Sequence, residues 1–274
     1  MPDKEKPPAG SNDSQPGSAE SKEKKENPFM KFLTSAVLKP VGKIFDETLR
    51  IVENAGLTNQ IQYPFYLSQD TLWWAITHNL FGFEIYGSDN VPPDGTPAVV
   101  CSNHQSLFDP IIFCVTFAHY TRRRIHVMAK QELFDMHLIT AYIRWCYAFP
   151  VKRGEHDEEA YKKAMEFLRQ GELVGMYPEG TTNHGEYGFL DPHTGAARLA
   201  IEAKVPILPV GISGTDRILP KGARMPNFNQ KLTVKIGEPI HVHEKFYGRT
   251  DVPYDDLKKI MIHVMDKIKG LLVY

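Results

Sequence analysis

The sequence predicts an α/β fold: a layered domain with a largely parallel mixed sheet flanked by helices, preceded by N-terminal amphipathic helices. Two observations carry that reading. From residue 83 onward, short β-prone runs alternate with helix-patterned stretches, the order expected when helices pack on a parallel sheet. Two of the runs, "PAVVCS" (97–102) and "ELVGMYP" (172–178), are apolar enough to read as buried strands. No repeat of fixed period competes with this layout.

Residues 1–28 are rich in Pro, Gly, Ser, Lys and Glu and nearly empty of apolar side chains. Such a segment cannot offset the entropy of ordering, so a disordered tail is expected. Residues 29–82 change to a helical pattern. Phe29, Phe32, Leu33, Ala36, Val37, Val41, Ile44, Phe45, Leu49 and Val52 recur at mostly three- and four-residue steps, as on one helix face. Pro40 is expected to kink or interrupt that helix. The stretch "FYLSQDTLWWAITHNLFGF" (65–83) holds adjacent tryptophans but is too polar to span a bilayer. These helices either cover the domain core or present a basic, aromatic surface to lipid, and both readings stand.

Residues 83–274 form the expected α/β domain. Its candidate strands are 83–87, 97–102, 125–130, 147–151, 172–178, 205–212 and 231–237. Helices are expected near 110–119, 137–146, 158–170, 194–204 and 254–272. The third of these is well marked. Asp157 can cap it, Glu158 and Glu159 suit the positive end of its dipole, and Gly171 follows its last turn. In the last, Leu257, Ile260, Met261, Val264, Met265, Ile268, Leu271 and Leu272 form one stripe.

A net charge of −1 over 274 residues gives no global attraction to nucleic acid, and none is expected as a partner. The three cysteines sit in apolar surroundings, which suits buried reduced thiols better than a disulfide framework. No apolar run follows a basic start, and none reaches about 18 residues, so neither a signal peptide nor a spanning helix is expected.

The chemistry gathers at two strand ends. In "VVCSNHQSLFDP" (99–110), His104 lies in the turn between a strand and the helix that Asp109 and Pro110 begin or cap. Ligands of open α/β sheets bind at that place. An imidazole there can take a proton from an alcohol if a carboxylate fixes its tautomer. The five-residue offset lets Asp109 fold back onto the ring, although the spacing is equally that of a helix cap beside a buried histidine. In "ELVGMYPEGTTN" (172–183), a second strand delivers Glu179, a close-approach glycine in Gly180, and the hydroxyls of Thr181 and Thr182. Cys101 lies within a strand rather than at its end. "GISGT" (211–215) is not a serine-hydrolase elbow, and "HVH" (241–243) reads as a solvated strand end, so no metal site is expected.

These residues resemble a known family. "NHQSLFD" (103–109) matches the NHxxxxD motif of the glycerolipid acyltransferases, the group of the 1-acyl-glycerol-3-phosphate acyltransferases. "FPVKRG" (149–154), "YPEGTT" (177–182) and "VPILPV" (205–210) look like its second, third and fourth blocks, in the same order. The resemblance covers roughly 83–245 and makes 83–274 an acyltransferase catalytic domain. It implies an O-acyltransferase of phospholipid biosynthesis with no cofactor, acting at the cytoplasmic face of a membrane as a peripheral or monotopic protein. His104 would be the base on the acceptor hydroxyl and Asp109 its orienting carboxylate. Asn103, Arg153, Glu179, Gly180, Thr181 and Thr182 would bind substrate, with Lys130 and Lys152 as further basic groups from strand ends. The implied partners are an acyl-CoA or acyl-carrier-protein donor, a lysophospholipid acceptor and a membrane surface.

The chain departs from the family pattern twice. Thr182 stands where the third block usually has arginine, and Lys152 stands where the second often has Asp or Asn. Lysophosphatidic acid is the acceptor expected first. Another lysolipid, glycerol-3-phosphate, or a scaffold that binds lipid without turnover remain alternatives.

Overall fold

A computed structural model describes residues 39–152, 157–183, 188–220, 225–246, 249 and 251–273. The expected tail, residues 29–38 and Arg153 lie outside them. Helix α1 (Lys39–Asn54) carries Pro40 as its second described residue, and a π-helical turn (Thr58–Gln62) leads into α2 (Tyr63–Phe81). Pro64 stands in the first turn of α2, where its missing N–H breaks no helical bond. Leu49 and Val52 of α1 bury against Trp145 and Phe65. The outer side leaves Ile44 and Ile51 61% and 67% exposed.

The strands are β1 (Glu84–Tyr86), β2 (Ala98–Ser102), β3 (Ile125–Lys130), β4 (Phe149–Val151), β5 (Leu173–Met176), β6 (Ile207–Ser213) and β7 (Thr233–Ile236). They form one sheet in the order β1-β7-β6-β2-β5-β3-β4. Every neighbouring pair is parallel except β6 with β7. The remaining helices are α3 (Asp109–Thr121), α4 (His137–Trp145), α5 (Glu158–Arg169), α6 (Gly195–Ala203), the short α7 (Thr215–Ile218) and α8 (Tyr254–Leu271). Each expected strand is present, as is each helix expected beyond residue 83. One correction concerns "HVH": it lies at the start of a 3₁₀ turn (Val242–Phe246), not on a strand.

Side-chain alternation divides the core. Val99, Cys101, Val174 and Ile207 face one layer with the apolar sides of α5, α6 and α8. Ala98, Val100, Leu173 and Leu208 face the other, against Ile112 and Phe113 of α3 and Phe81 of α2. Gly175 shows how closely α3 lies on β5, since a Cβ there would meet Phe113 at 2.6 Å. A long basic side chain supplies the polar counterpart. Arg123, 2% exposed, donates to the carbonyls of Pro92 at 2.7 Å, Thr96 at 3.2 Å and Gly171 at 2.7 Å, tying three loops below the sheet.

Candidate active site

β2 and β5 are neighbours and parallel, so their carboxyl ends open on the same edge of the sheet. The turn after β2 holds Asn103 and His104, and the turn after β5 holds residues 177–183. His104 is 6% exposed and Asp109 fully buried. Asp109 Oδ2 accepts from His104 Nδ1 at 3.0 Å and from the N–H groups of Gln105 at 2.6 Å and Ser106 at 2.7 Å. Three donors converge on one oxygen, which requires that Nδ1 carry the proton and leaves Nε2 as an acceptor. Asp109 begins α3 and makes no side-chain cap. Its carboxylate closes the preceding turn onto the ring instead. Thr182 Oγ1 lies 3.1 Å from Nε2 and donates to it in that tautomer.

The second turn holds the first rigidly. Glu179 Oε1 accepts from the His104 N–H at 3.1 Å, and the Asn183 N–H donates to the His104 carbonyl at 2.6 Å. Glu179 Oε2 accepts from Asn183 Nδ2 and the Leu190 N–H, both at 3.0 Å. Gly180 has φ +69°, and a Cβ there would lie 2.7 Å from His193 Nε2, so this turn requires glycine. Tyr177 completes the arrangement, stacking on the His104 ring at 4.2 Å and 23°. Burial raises its phenol well above the usual range and keeps it neutral.

Two of the expected substrate-binding residues have protein partners. Asn103 is fully buried and spends its amide on Ile212, donating Nδ2 to the carbonyl at 2.8 Å and accepting the N–H at 2.8 Å. It locks the end of β2 to β6, because unpaired polar atoms at that depth would be costly. Glu179, 4% exposed, spends both oxygens on the protein and positions His104. His104, Asp109, Glu179, Gly180 and Thr182 are brought together. Thr181 is exposed beside them. Lys130 ends β3, pairs with Glu132 at 2.9 Å and lines a cavity that also contains His104. Lys152 is exposed after β4, with its backbone N–H on the cap Asp157 at 2.8 Å.

That cavity, about 130 Å³, runs from His104 and Tyr177 between α2, α3 and α4, past Tyr66, Trp73, Ile111, Cys114 and Ile143. All three cysteines are free; Cys101 is buried and the other two, half-buried, line the cavity. One carboxyl also lines it: Asp70, 3% exposed and pushed up to about 7 by burial, against which Arg122 acts. Residue type alone pointed to neither Tyr177 nor Asp70. The apolar step before Pro178 was the sole signal for the first, and the helical spacing around Trp73 for the second. Among the described residues, His241, His243 and Glu244 bring possible metal-ligating atoms within 4.8 Å of one another, apart from these catalytic candidates.

A buried imidazole backed by a carboxylate, at a parallel strand end beside an apolar cavity, is a candidate general-base site of an α/β protein. The acyltransferase family model matches residues 82–213. Over 160 residues the chain is 30% identical to the 1-acyl-sn-glycerol-3-phosphate acyltransferase of Bacillus subtilis (strain 168), covering 58% of this chain and 74% of that one. It is 29% identical over 174 residues to the chloroplastic enzyme of the same name from Arabidopsis thaliana, covering 62% of this chain and 47% of that one. The match to the Streptococcus pneumoniae enzyme of that name likewise spans 60% of its length. The crystal structure of the 1-acyl-sn-glycerophosphate acyltransferase from Thermotoga maritima superposes with a TM-score of 0.61 at 22% identity, covering 88% of this chain and 91% of that one. It shares the fold. The chain belongs to the glycerolipid acyltransferase family.

Proposed function

We propose that the chain moves a fatty acyl group from an acyl thioester to the free hydroxyl of 1-acyl-glycerol-3-phosphate, in phospholipid biosynthesis. One observation carries this reading. His104, which lines an apolar cavity, has its Nδ1–H fixed on Asp109 and its Nε2 on the Thr182 hydroxyl.

The acceptor hydroxyl takes the place that Thr182 Oγ1 now occupies. Its proton passes to Nε2 as its oxygen attacks the thioester carbonyl, and Asp109 stabilises the imidazolium that forms. Collapse expels the thiolate, which takes that proton. The Gly180 N–H is engaged by the Tyr177 carbonyl at 3.0 Å, so it is not the oxyanion donor. The N–H groups of Thr181 and Thr182, next in the turn, have no acceptor among the described residues and are suited to that role. The cavity takes the acyl chain. Arg153, Lys152 and Lys130 supply cations for the acceptor phosphate, arginine as a planar fork. Among the described residues no helix is long and apolar enough to cross a membrane. The exposed Ile44, Ile51, Ile61 and Leu72 support reading the N-terminal helical segment as a membrane-surface element.

The test is thiol release measured with a panel of lysolipids and with both acyl-CoA and acyl-carrier-protein donors. Preferred turnover of 1-acyl-glycerol-3-phosphate, falling by about 10²–10⁴-fold in His104→Ala, is expected. Preference for glycerol-3-phosphate or another lysolipid would reassign the acceptor. No transfer from either donor would leave a lipid-binding scaffold without turnover.

A further inference from the structure

Thr182 and His104 make a contact that the direct-transfer mechanism does not use. Thr182 Oγ1, His104 Nε2, His104 Nδ1 and Asp109 Oδ2 form a continuous relay with steps of 3.1 and 3.0 Å. Those are the roles and distances of a hydroxyl nucleophile, its base and the base's orienting carboxylate. The contact is more than a passing rotamer of a free loop. Glu179 and Asn183, which bracket Gly180, Thr181 and Thr182, bond to both main-chain polar atoms of His104, Glu179 to its N–H and Asn183 to its carbonyl. Thr182 is therefore held against Nε2 by the backbone.

We propose that Thr182 is a catalytic nucleophile: it accepts the acyl group of the thioester donor when no lysolipid is bound, giving the chain an acyl-thioester hydrolase activity. The proposal rests on the thioester donor of the preceding reading. In the first step Oγ–H gives its proton to Nε2, an Oγ–C bond forms, the C–S bond breaks, and the thiolate leaves with that proton. The product is an acyl ester on Thr182, beside His104, which lines the cavity. In the second step water gives a proton to Nε2 and attacks the ester carbonyl. The C–Oγ bond breaks, Thr182 recovers the proton, and the fatty acid leaves. An acceptor hydroxyl in place of water would complete acyl transfer in two stages. When lysolipid enters first, its hydroxyl displaces Thr182 from Nε2 and direct transfer takes over.

The experiment uses the full chain with a long-chain acyl-CoA and, separately, the matching acyl-carrier-protein thioester, both without lysolipid. Thiol release is followed, and acid-quenched samples are weighed by intact mass spectrometry and peptide-mapped. The expected result is a single acyl adduct on Thr182 with accompanying thiol release. The adduct should be absent in Thr182→Val and His104→Ala and retained in Thr182→Ser, and acceptor-free release should fall about 10²-fold in Thr182→Val. Circular dichroism on each variant confirms that it is folded. Lysolipid acylation by the wild type with no adduct overturns the proposal and leaves the acyltransferase reading intact. Acceptor-free release that persists in Thr182→Val, or an adduct on another residue, also overturns it. An adduct on Thr182 with no lysolipid accepted supports the nucleophile and overturns the acceptor assignment instead. No thiol release from either donor, with or without lysolipid, overturns both.

Discussion

Asp109→Asn separates the charge of the carboxylate from its shape. With the amide oxygen in the place of Oδ2, the three contacts from His104 Nδ1, Gln105 N–H and Ser106 N–H survive. The amide nitrogen then falls where Oδ1 lies, buried and without a hydrogen-bond partner, which costs about 1–3 kcal/mol of stability. The larger effect is on the imidazolium formed as the acceptor loses its proton. At the 3.0 Å separation of Nδ1 from Oδ2, an effective dielectric near 20 gives a charge–charge attraction of about 5 kcal/mol. A tenfold change in rate needs about 1.4 kcal/mol, so kcat should fall about 10³–10⁴-fold. The donor KM should change little, because the acyl chain lies in the cavity. Steady-state thiol release at saturating lysolipid measures both constants, and a thermal melt gives the stability cost. A folded variant within tenfold of wild-type kcat would refute the reasoning and make Asp109 a structural closure of its turn.

Two further predictions concern the cavity wall and the outer helices. Burial raises Asp70 from 3.8 to about 7, so between those values the folded chain keeps a proton that the unfolded chain has lost. Stability from this group is therefore complete below pH ~4, declines as pH rises toward 7 and then levels off, with a ceiling of about 4 kcal/mol. Asp70→Asn should remove that decline in urea melts taken across the range, and an unchanged pH profile would refute the assignment. His126, stacked on Phe167 and lowered to about 3 mainly by burial, acts in the opposite sense: its contribution is present above pH ~6.5 and lost as pH falls. Comparing Asp70→Asn with wild type cancels that term. For the membrane surface, Ile44→Asp with Ile51→Asp places two charges on the outward side of α1. Co-sedimentation with phosphatidylglycerol vesicles should drop at least ~10-fold, while thiol release from a water-soluble short-chain donor should stay within about twofold. Unchanged sedimentation would remove α1 from the lipid contact.

The strands were legible because a layered sheet writes itself locally: Ala98–Ser102 is buried at every position, so apolarity alone marks it. The pairing of His104 with Asp109 was legible for the same reason, both partners lying in one turn. What escaped depends on distant partners. Asn103 and Glu179 were recognisable as important, yet Asn103 answers to Ile212, 109 positions away, and Glu179 to the backbone of Leu190. Residue type could not tell a ligand contact from a main-chain clamp. Arg123 is one of three arginines in "TRRR", and the run does not distinguish the one that runs inward to carbonyls 27 to 48 residues away. The antiparallel pairing of β6 with β7 was equally invisible, because strand direction leaves no mark on composition.

The double grip on the main chain of His104 sets a rule for recombining this enzyme with its relatives. Segments 102–109 and 177–183 should be exchanged together, since the N–H and carbonyl of the histidine each answer to the other segment. A chimera that imports one half, or changes the length of either, would inherit a correctly spelled motif with its ring aimed at nothing.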